Sequence, residues 1–325
     1  MTMRRRPLIA LGALLATHGA FHGQTTDKVW RVGVLSAAAG PNELNQAFVD
    51  ALRSLGYVEG RNLAIEYRWA AGKVDRLAEL AKELALLKVD AILAATGPTA
   101  LAAKRATGSI PVVMVTVPDP VAMGLVASLG RPGGNVTGTT NMSTDLAGKS
   151  LQLLRELLPK TTRLAVLVWK GAPATPLYLE QMRSAAQVSG VTLVVQQENQ
   201  PESLPGAFAA MQQERAQGLL VQVSPFTFEH RKQIVELAAQ HRLPAVFAAR
   251  EFVDAGGLLS NGPNQLELMR RAAYFVDRIF KGDKPADLPV EQPTRFEIVL
   301  NFKTAKALGV TIPQSFLLRA DEVIQ

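Results

Sequence analysis

The chain has 325 residues, about twice a typical single domain, so two lobes are expected rather than one long core. With 48% hydrophobic, 19% charged and 6% aromatic residues and no cysteine, it is neither disordered nor collagen-like nor a disulfide scaffold, and it lacks a thiol nucleophile, Cys-ligated zinc and an iron–sulfur cluster. The net charge of +7 falls to +4 once Arg4, Arg5 and Arg6 are set aside, leaving 32 basic against 28 acidic residues, and the remaining Lys and Arg are scattered rather than striped, which argues against a nucleic-acid partner.

Those three arginines precede a short apolar run over 8–16 and then small and polar residues, the pattern of a secretory signal peptide over 1–23. The run is too short to cross a bilayer, which takes about 20 helical residues. Cleavage after Gly19 leaves small Thr17 at the minus-three position, and cleavage after Gly23 leaves bulky Phe21 there; both stay open, and RRPLI also fits the twin-arginine route. The expectation is an exported, periplasmic protein that, having no Cys, is not a lipoprotein.

From residue 28 onward, short β-rich runs alternate with amphipathic stretches, as in parallel α/β layers. A strand over 30–35 leads through SAAAGPNE into a helix whose Leu44, Ala47, Phe48, Ala51, Leu52 and Leu55 keep 3.6-residue spacing, with Gly56 as its C-terminal stop. A strand over 63–67, a helix carrying Leu77, Leu80, Ala81, Leu84 and Leu87, and a strand over 91–95 follow. Further strands are expected over 112–115, 164–169, 192–196, 218–223, 245–248, 258–260 and 296–300, which is more than one small sheet holds. The segment RPGGNVTGTTN, 131–141, interrupts the rhythm and marks a lobe boundary. DAGGLLSNGPN at 254–264 and KPADLPVEQPT at 284–294 flank a single helix through Leu268, Ala272, Phe275, Val276 and Ile279, so the chain is expected to return to the first lobe and leave again. One lobe is then 28–140 with 263–293, the other 141–262 with 294–325.

The phrases SLGYVEGRNLAIEYRWAAG, ATGPTALAAKRATGSIPVV, DPVAMGLVASLGRPGGNVTG, HRKQIVELAAQHRLPAVF, REFVDAGGLLS and FEIVLNFKTAKALGVTIP together span the chain beyond its leader. In them the chain resembles the ABC-transporter substrate-binding proteins of the family that includes tryptophan/tyrosine-type binding proteins. The resemblance implies a type I periplasmic-binding-protein fold: two doubly wound parallel-sheet lobes, three hinge crossings, and a small-molecule ligand enclosed between them and delivered to an ABC permease in the inner membrane. Two positions depart from the family's usual pattern. The common WNP stands here as Trp169, Lys170 and Gly171, and the common YGP as Asn261, Gly262 and Pro263. Both lie where the cleft is expected, so Asn261 joins the candidate ligand contacts and no relative's ligand is carried over.

Read from the residues themselves, ligands of open parallel sheets sit beyond the carboxyl ends of strands, where helix N-termini offer free N–H groups and partial positive charge. Thr96-Gly97-Pro98-Thr99 is the leading candidate: Gly97 permits close backbone approach, Pro98 suits a first helical turn, and Thr96 and Thr99 either donate to a carboxylate or merely cap a helix. Ser36 and Thr116 end neighbouring strands on the same rim. Asp119, in VPDPV, either accepts a bond from a ligand amine or stabilises the turn before Pro120. From the other lobe, Trp169 and the run Ser224-Pro225-Phe226 follow strands, the aromatics either covering an apolar ligand part or filling the core. Arg250 and Glu251 are either a cleft pair for charged ligand groups or a solvated surface pair.

Catalytic patterns are sparse. His230 and His241 are the two histidines beyond the leader and read as surface helix residues without partners at metal-ligand spacing. GxSxG, HExxH and GxGxxG do not occur, and Gly148-Lys149-Ser150 is no phosphate loop because Ser143 stands where its first Gly is required. The expectation is a non-enzymatic receptor without cofactor or metal, binding an amino acid or other small carboxylate. An α/β enzyme working at the interlobe cleft and an exported ligand-sensing domain are the alternatives.

Overall fold

The computed structural model describes residues 28–325; the expected signal peptide over 1–23 lies outside them. The first part alternates strand and helix as β1 (Trp30–Ser36), α1 (Glu43–Ser54), β2 (Leu63–Trp69), α2 (Leu77–Leu86), β3 (Ala91–Thr96), α3 (Gly97–Ala106), β4 (Val112–Val117) and β5 (Val136–Thr140). There follow α4 (Ala147–Leu157), β6 (Arg163–Trp169), α5 (Thr175–Ser189), β7 (Thr192–Glu198), α6 (Leu204–Gln213), β8 (Leu219–Val221), α7 (Pro225–Glu229), α8 (Arg231–Gln240), β9 (Ala245–Phe247), α9 (Arg250–Asp254) and β10 (Leu259–Gly262). The chain ends with α10 (Gln265–Phe280), β11 (Glu297–Asn301), α11 (Phe302–Leu308), α12 (Gln314–Leu317) and β12 (Glu322–Ile324).

These strands form two sheets, one for each lobe. The first is all parallel in the order β2-β1-β3-β4-β5. Its two faces carry separate apolar clusters: Phe48 and Leu52 of α1 pack with Met269, Phe275 and Val276 of α10 on one side, and Leu80 and Leu84 of α2 with Ala100 and Ala103 of α3 on the other. Helix α10 therefore belongs with the first sheet although it follows β10 of the second. Parallel strands buried on both faces account for the nearly continuous apolar runs in the sequence.

The second sheet runs β12-β11-β10-β9-β8-β6-β7 and departs from the all-parallel expectation, because β10 and β11 are antiparallel. The connectivity explains it. β10 runs toward the other lobe and hands the chain to α10, so the returning chain re-enters at that same end and β11 must run away from it. The edge strand β12 is parallel to β11 and has no counterpart among the strands expected from sequence.

A second unexpected strand is β5, inside the glycine-rich segment read as a break. Residues 136–140 are buried and pair with β4. Gly138 has φ +131, and a Cβ there would stand 1.9 Å from the Met114 carbonyl oxygen, so the glycine permits this pairing rather than ending a strand. The first crossing follows β5 directly. Residues 288–291 return beside it, with Thr140 N–H donating to the Glu291 carbonyl (2.9 Å) and Glu291 N–H to that of Gly138 (2.9 Å).

Candidate functional site

A cavity of about 740 Å³ lies between the two sheets at the carboxyl ends of their strands, within the size range of small-molecule sites. Four helices of ten or more residues begin at its wall: Asn42 and Asn45 come from the start of α1, Thr96 and Gly97 from that of α3, Ala174 from that of α5 and Gln265 from that of α10. Each start leaves backbone N–H groups without intrahelical acceptors, and the summed dipoles make the space favourable for negative charge. Three of the four N-caps, Asn42, Thr96 and Asn264, have short polar side chains, as in Asn42 Oδ1 accepting from Asn45 N–H at 3.1 Å, whereas α5 starts from Ala174 without a side-chain cap.

The deep wall is neutral. Its buried members include Ser36, Asn45, Asn141, Trp169, Gln222 and Phe226, whereas the charged residues that reach the cavity, among them Lys73, Asp75, Lys170 and Glu229, are exposed. Gln222 is fixed from behind, its Oε1 accepting from Thr175 Oγ1 (2.9 Å) and Trp169 N–H (3.3 Å). Asn141 is held likewise, accepting from Ser143 N–H and donating to the Thr116 carbonyl. Trp169 and Phe226 are 7% and 8% exposed, so they are at once core and cavity wall. Across the space Gly97 is tightly approached, since a Cβ there would lie 2.6 Å from Met123 Cε.

Of the residues singled out in the sequence, Ser36, Thr96, Gly97, Thr116, Trp169, Ser224 and Phe226 line this cavity. Thr116 spends its hydroxyl on the Ala95 carbonyl (2.5 Å), and Ser36 Oγ accepts from Ala38 N–H (3.2 Å). The structure places the other five outside the wall. Thr99 is fully buried, and its Oγ1 donates to the Thr96 carbonyl (2.8 Å) while accepting from Thr96 N–H (2.9 Å), which is the capping role. Asp119 Oδ1 accepts from Val121 and Ala122 N–H, the turn role. It also faces Asp145, whose carboxyl is pushed up by burial and by the Asp119 charge. Arg250 is paired with Glu322 (2.9 Å) and Asp254 (3.3 Å), whose hydrogen bonds raise its pKa.

Glu251 is buried in α9 with Oε2 unpartnered; burial pushes its carboxyl up, and the charges of Glu43 and Asp254 push it further. Asn261 is 3% exposed in β10, with Nδ2 unpartnered. Both follow or end short strands as expected, but neither lines the cavity; Glu251 lies behind its lip, near enough to Glu43 and Arg231 for their charges to act on its carboxyl.

Sequence reasoning passed over Asn45, Asn141, Gln222, Gln265 and His230, all of which line the cavity. His230 was read as a surface residue, yet it is half-buried at the wall with its ring 5.0 Å from that of Phe226. His241 lies elsewhere, 3.1 Å from Gln212. Asn45 carried one available signal, standing three residues after an Asn N-cap at the start of an apolar helix. No helix among the described residues is long and apolar enough to cross a membrane.

Comparison with known proteins gives consistent findings. The family model described as ABC transporter substrate binding protein matches residues 32–324. The tyrosine-binding protein of Clostridioides difficile is 26% identical over 282 residues, covering 86% of this chain and 81% of that protein. Among solved structures, the ABC domain from Streptococcus pneumonia in complex with L-Trp overlays with TM-score 0.83 at 26% identity, covering 91% of this chain and 99% of that one. The ligand-free, open structure of a substrate binding protein with adhesive properties from Clostridium difficile overlays with TM-score 0.66 at the same identity, covering 91% and 100%.

Proposed function

The chain belongs to the ABC transporter substrate-binding proteins, and from that premise we propose that it captures a small solute bearing a carboxylate, aromatic amino acids being the first candidates, and delivers it to an inner-membrane ABC permease. The observation that carries the carboxylate is the convergence of four long-helix N-termini on one cavity whose deep wall has no charged side chain. An anion is held there by backbone N–H groups, hydroxyls and amides, and needs no counter-charge. Trp169 and Phe226 supply flat apolar surface for a ring. The relatives named for tyrosine and solved with L-Trp support the aromatic class, while Lys170, at the wall where the family's usual pattern has Asn, leaves room for a different side group.

In this reading residues 1–23 direct export to the periplasm, residues 28–140 with 263–293 form one lobe, and residues 141–262 with 294–325 form the other. Binding is not followed by chemistry. The solute touches both walls together only when the lobes approach, so it favours that arrangement by its differential affinity.

A thermal-shift screen of the mature chain tests the proposal, using L-tryptophan, L-tyrosine, aryl and alkyl carboxylates, and the matching uncharged carboxamides. A true ligand at about 100 times its dissociation constant stabilises by about 2.7 kcal/mol. Stabilisation by carboxylates and not by their amides is expected. Equal stabilisation by the amides would remove the anion from the proposal.

A further inference from the structure

Glu43 is the first residue of α1, on the first sheet's side of the cleft, and Arg231 the first of α8 on the other side. Their side chains meet, with Arg231 Nη2 3.8 Å from Glu43 Oε1. Among the ion pairs of the described residues this is the one that joins an element packed on the first sheet to an element packed on the second. It stands at the cavity's lip, because Leu44 and Asn45 beside Glu43, and Phe228, Glu229 and His230 before Arg231, all line the wall.

Arg231 is held ready from its own lobe. Its Nη1 donates to the Phe228 carbonyl at 3.0 Å, and its guanidinium lies 4.8 Å from the centre of the Phe228 ring. Little side-chain freedom is therefore left to lose when Glu43 arrives. Neither residue is among those lining the cavity.

We propose that Glu43 and Arg231 form an electrostatic latch across the cleft mouth, which favours approach of the two lobes before any solute is bound and so sets the receptor's affinity without contacting the solute. The thermodynamic route is direct. When only part of the population is competent to enclose the solute, the apparent dissociation constant is the intrinsic one divided by that fraction, so a pair that raises the fraction tightens binding to any ligand. For a pair of this exposure, 26% for Arg231 and 55% for Glu43, the effect on the closed-to-open ratio is about two- to fivefold. The latch rests on the receptor reading only in requiring that the lobes move.

The absence of cysteine allows a test that uses no ligand. Spin labels on cysteines introduced at exposed Glu79 of α2 and Glu180 of α5 report the interlobe distance by double electron–electron resonance. In the ligand-free chain, Glu43→Gln and Arg231→Gln should each move population to longer distances. The reversed pair, Glu43→Arg with Arg231→Glu, should restore the shorter ones. Raising KCl from 50 to 500 mM should lengthen distances in the parent and leave Glu43→Gln unmoved, because only the parent has a pair to screen. Circular dichroism of each variant controls for folding, which two lip substitutions should not alter. Distances unchanged by both single substitutions, or a reversed pair no more compact than the singles, would overturn the latch while leaving the solute-screening result untouched.

Discussion

Thr99 shows how one hydroxyl is assigned. It ends a capping box, giving its proton to the Thr96 carbonyl and taking that of Thr96 N–H, and it is fully buried. Thr99→Val keeps the volume and β-branching but deletes both bonds, so stability should fall by about 1 to 2 kcal/mol in urea denaturation. Titration with whichever solute the thermal screen identifies should give the parent affinity. A tenfold loss of affinity at unchanged midpoint would put the hydroxyl on the solute instead. At this scale the sequence was informative where chemistry follows from chain direction: Ser36, Thr96, Gly97, Thr116 and Ser224 sit at strand ends or helix starts, which in a parallel sheet all face one rim. It was uninformative for Asn141, Gln222 and Gln265. Each is a lone amide whose place at the wall depends on how two lobes are set against each other, and no local pattern records that.

The strand–helix alternation was legible because strands buried on both faces leave unbroken apolar runs and the helices between them keep a 3.6-residue stripe, as in α1, where Phe48 and Leu52 are buried. β5 was not, because its glycine and threonines have the composition of a loop. Two of its three buried hydroxyls are instead satisfied by neighbouring backbone, Thr139 donating to the Val115 carbonyl of β4 (2.6 Å) and Thr137 to that of Leu288 in the returning segment (2.7 Å), while Thr140 Oγ1 has no partner. Its pairing makes a sharp prediction. Gly138→Ala combines φ +131 with a Cβ 1.9 Å from the Met114 oxygen, so β4 and β5 must separate or the backbone must shift. The loss should be on the order of 4 kcal/mol or more, whereas Gly134→Ala in the same segment, where a Cβ meets nothing within 4 Å, should stay within about 0.5 kcal/mol. Equal denaturation midpoints for the two variants would mean that β5 is not paired as described.

For the whole molecule, the decisive feature is that the chain passes between the lobes three times and that all three passages lie at one end of each sheet. The first follows β5, the second joins β10 to α10, and the third returns along 288–296 to β11, while the cavity opens at the same strand ends. Each lobe has its own buried apolar clusters on both faces of its sheet, with half-buried Val74 of the first lobe packing against a cluster of each, so moving one lobe against the other leaves the buried members of either core intact and alters the contact at Val74. What changes is the cleft, whose two walls are joined by a single ion pair among the described residues. Relative lobe motion is the default for domains joined in this way. Small-angle scattering should therefore give a smaller radius of gyration for the chain saturated with its solute than for the free chain, and the change should follow the binding curve. Glu43→Gln should start from a larger free radius and reach the same bound one, because the solute supplies at saturation what the latch supplied before it. A radius that stays constant through saturation would describe a rigid module with a preformed site, and the differential-affinity account of binding would then fail.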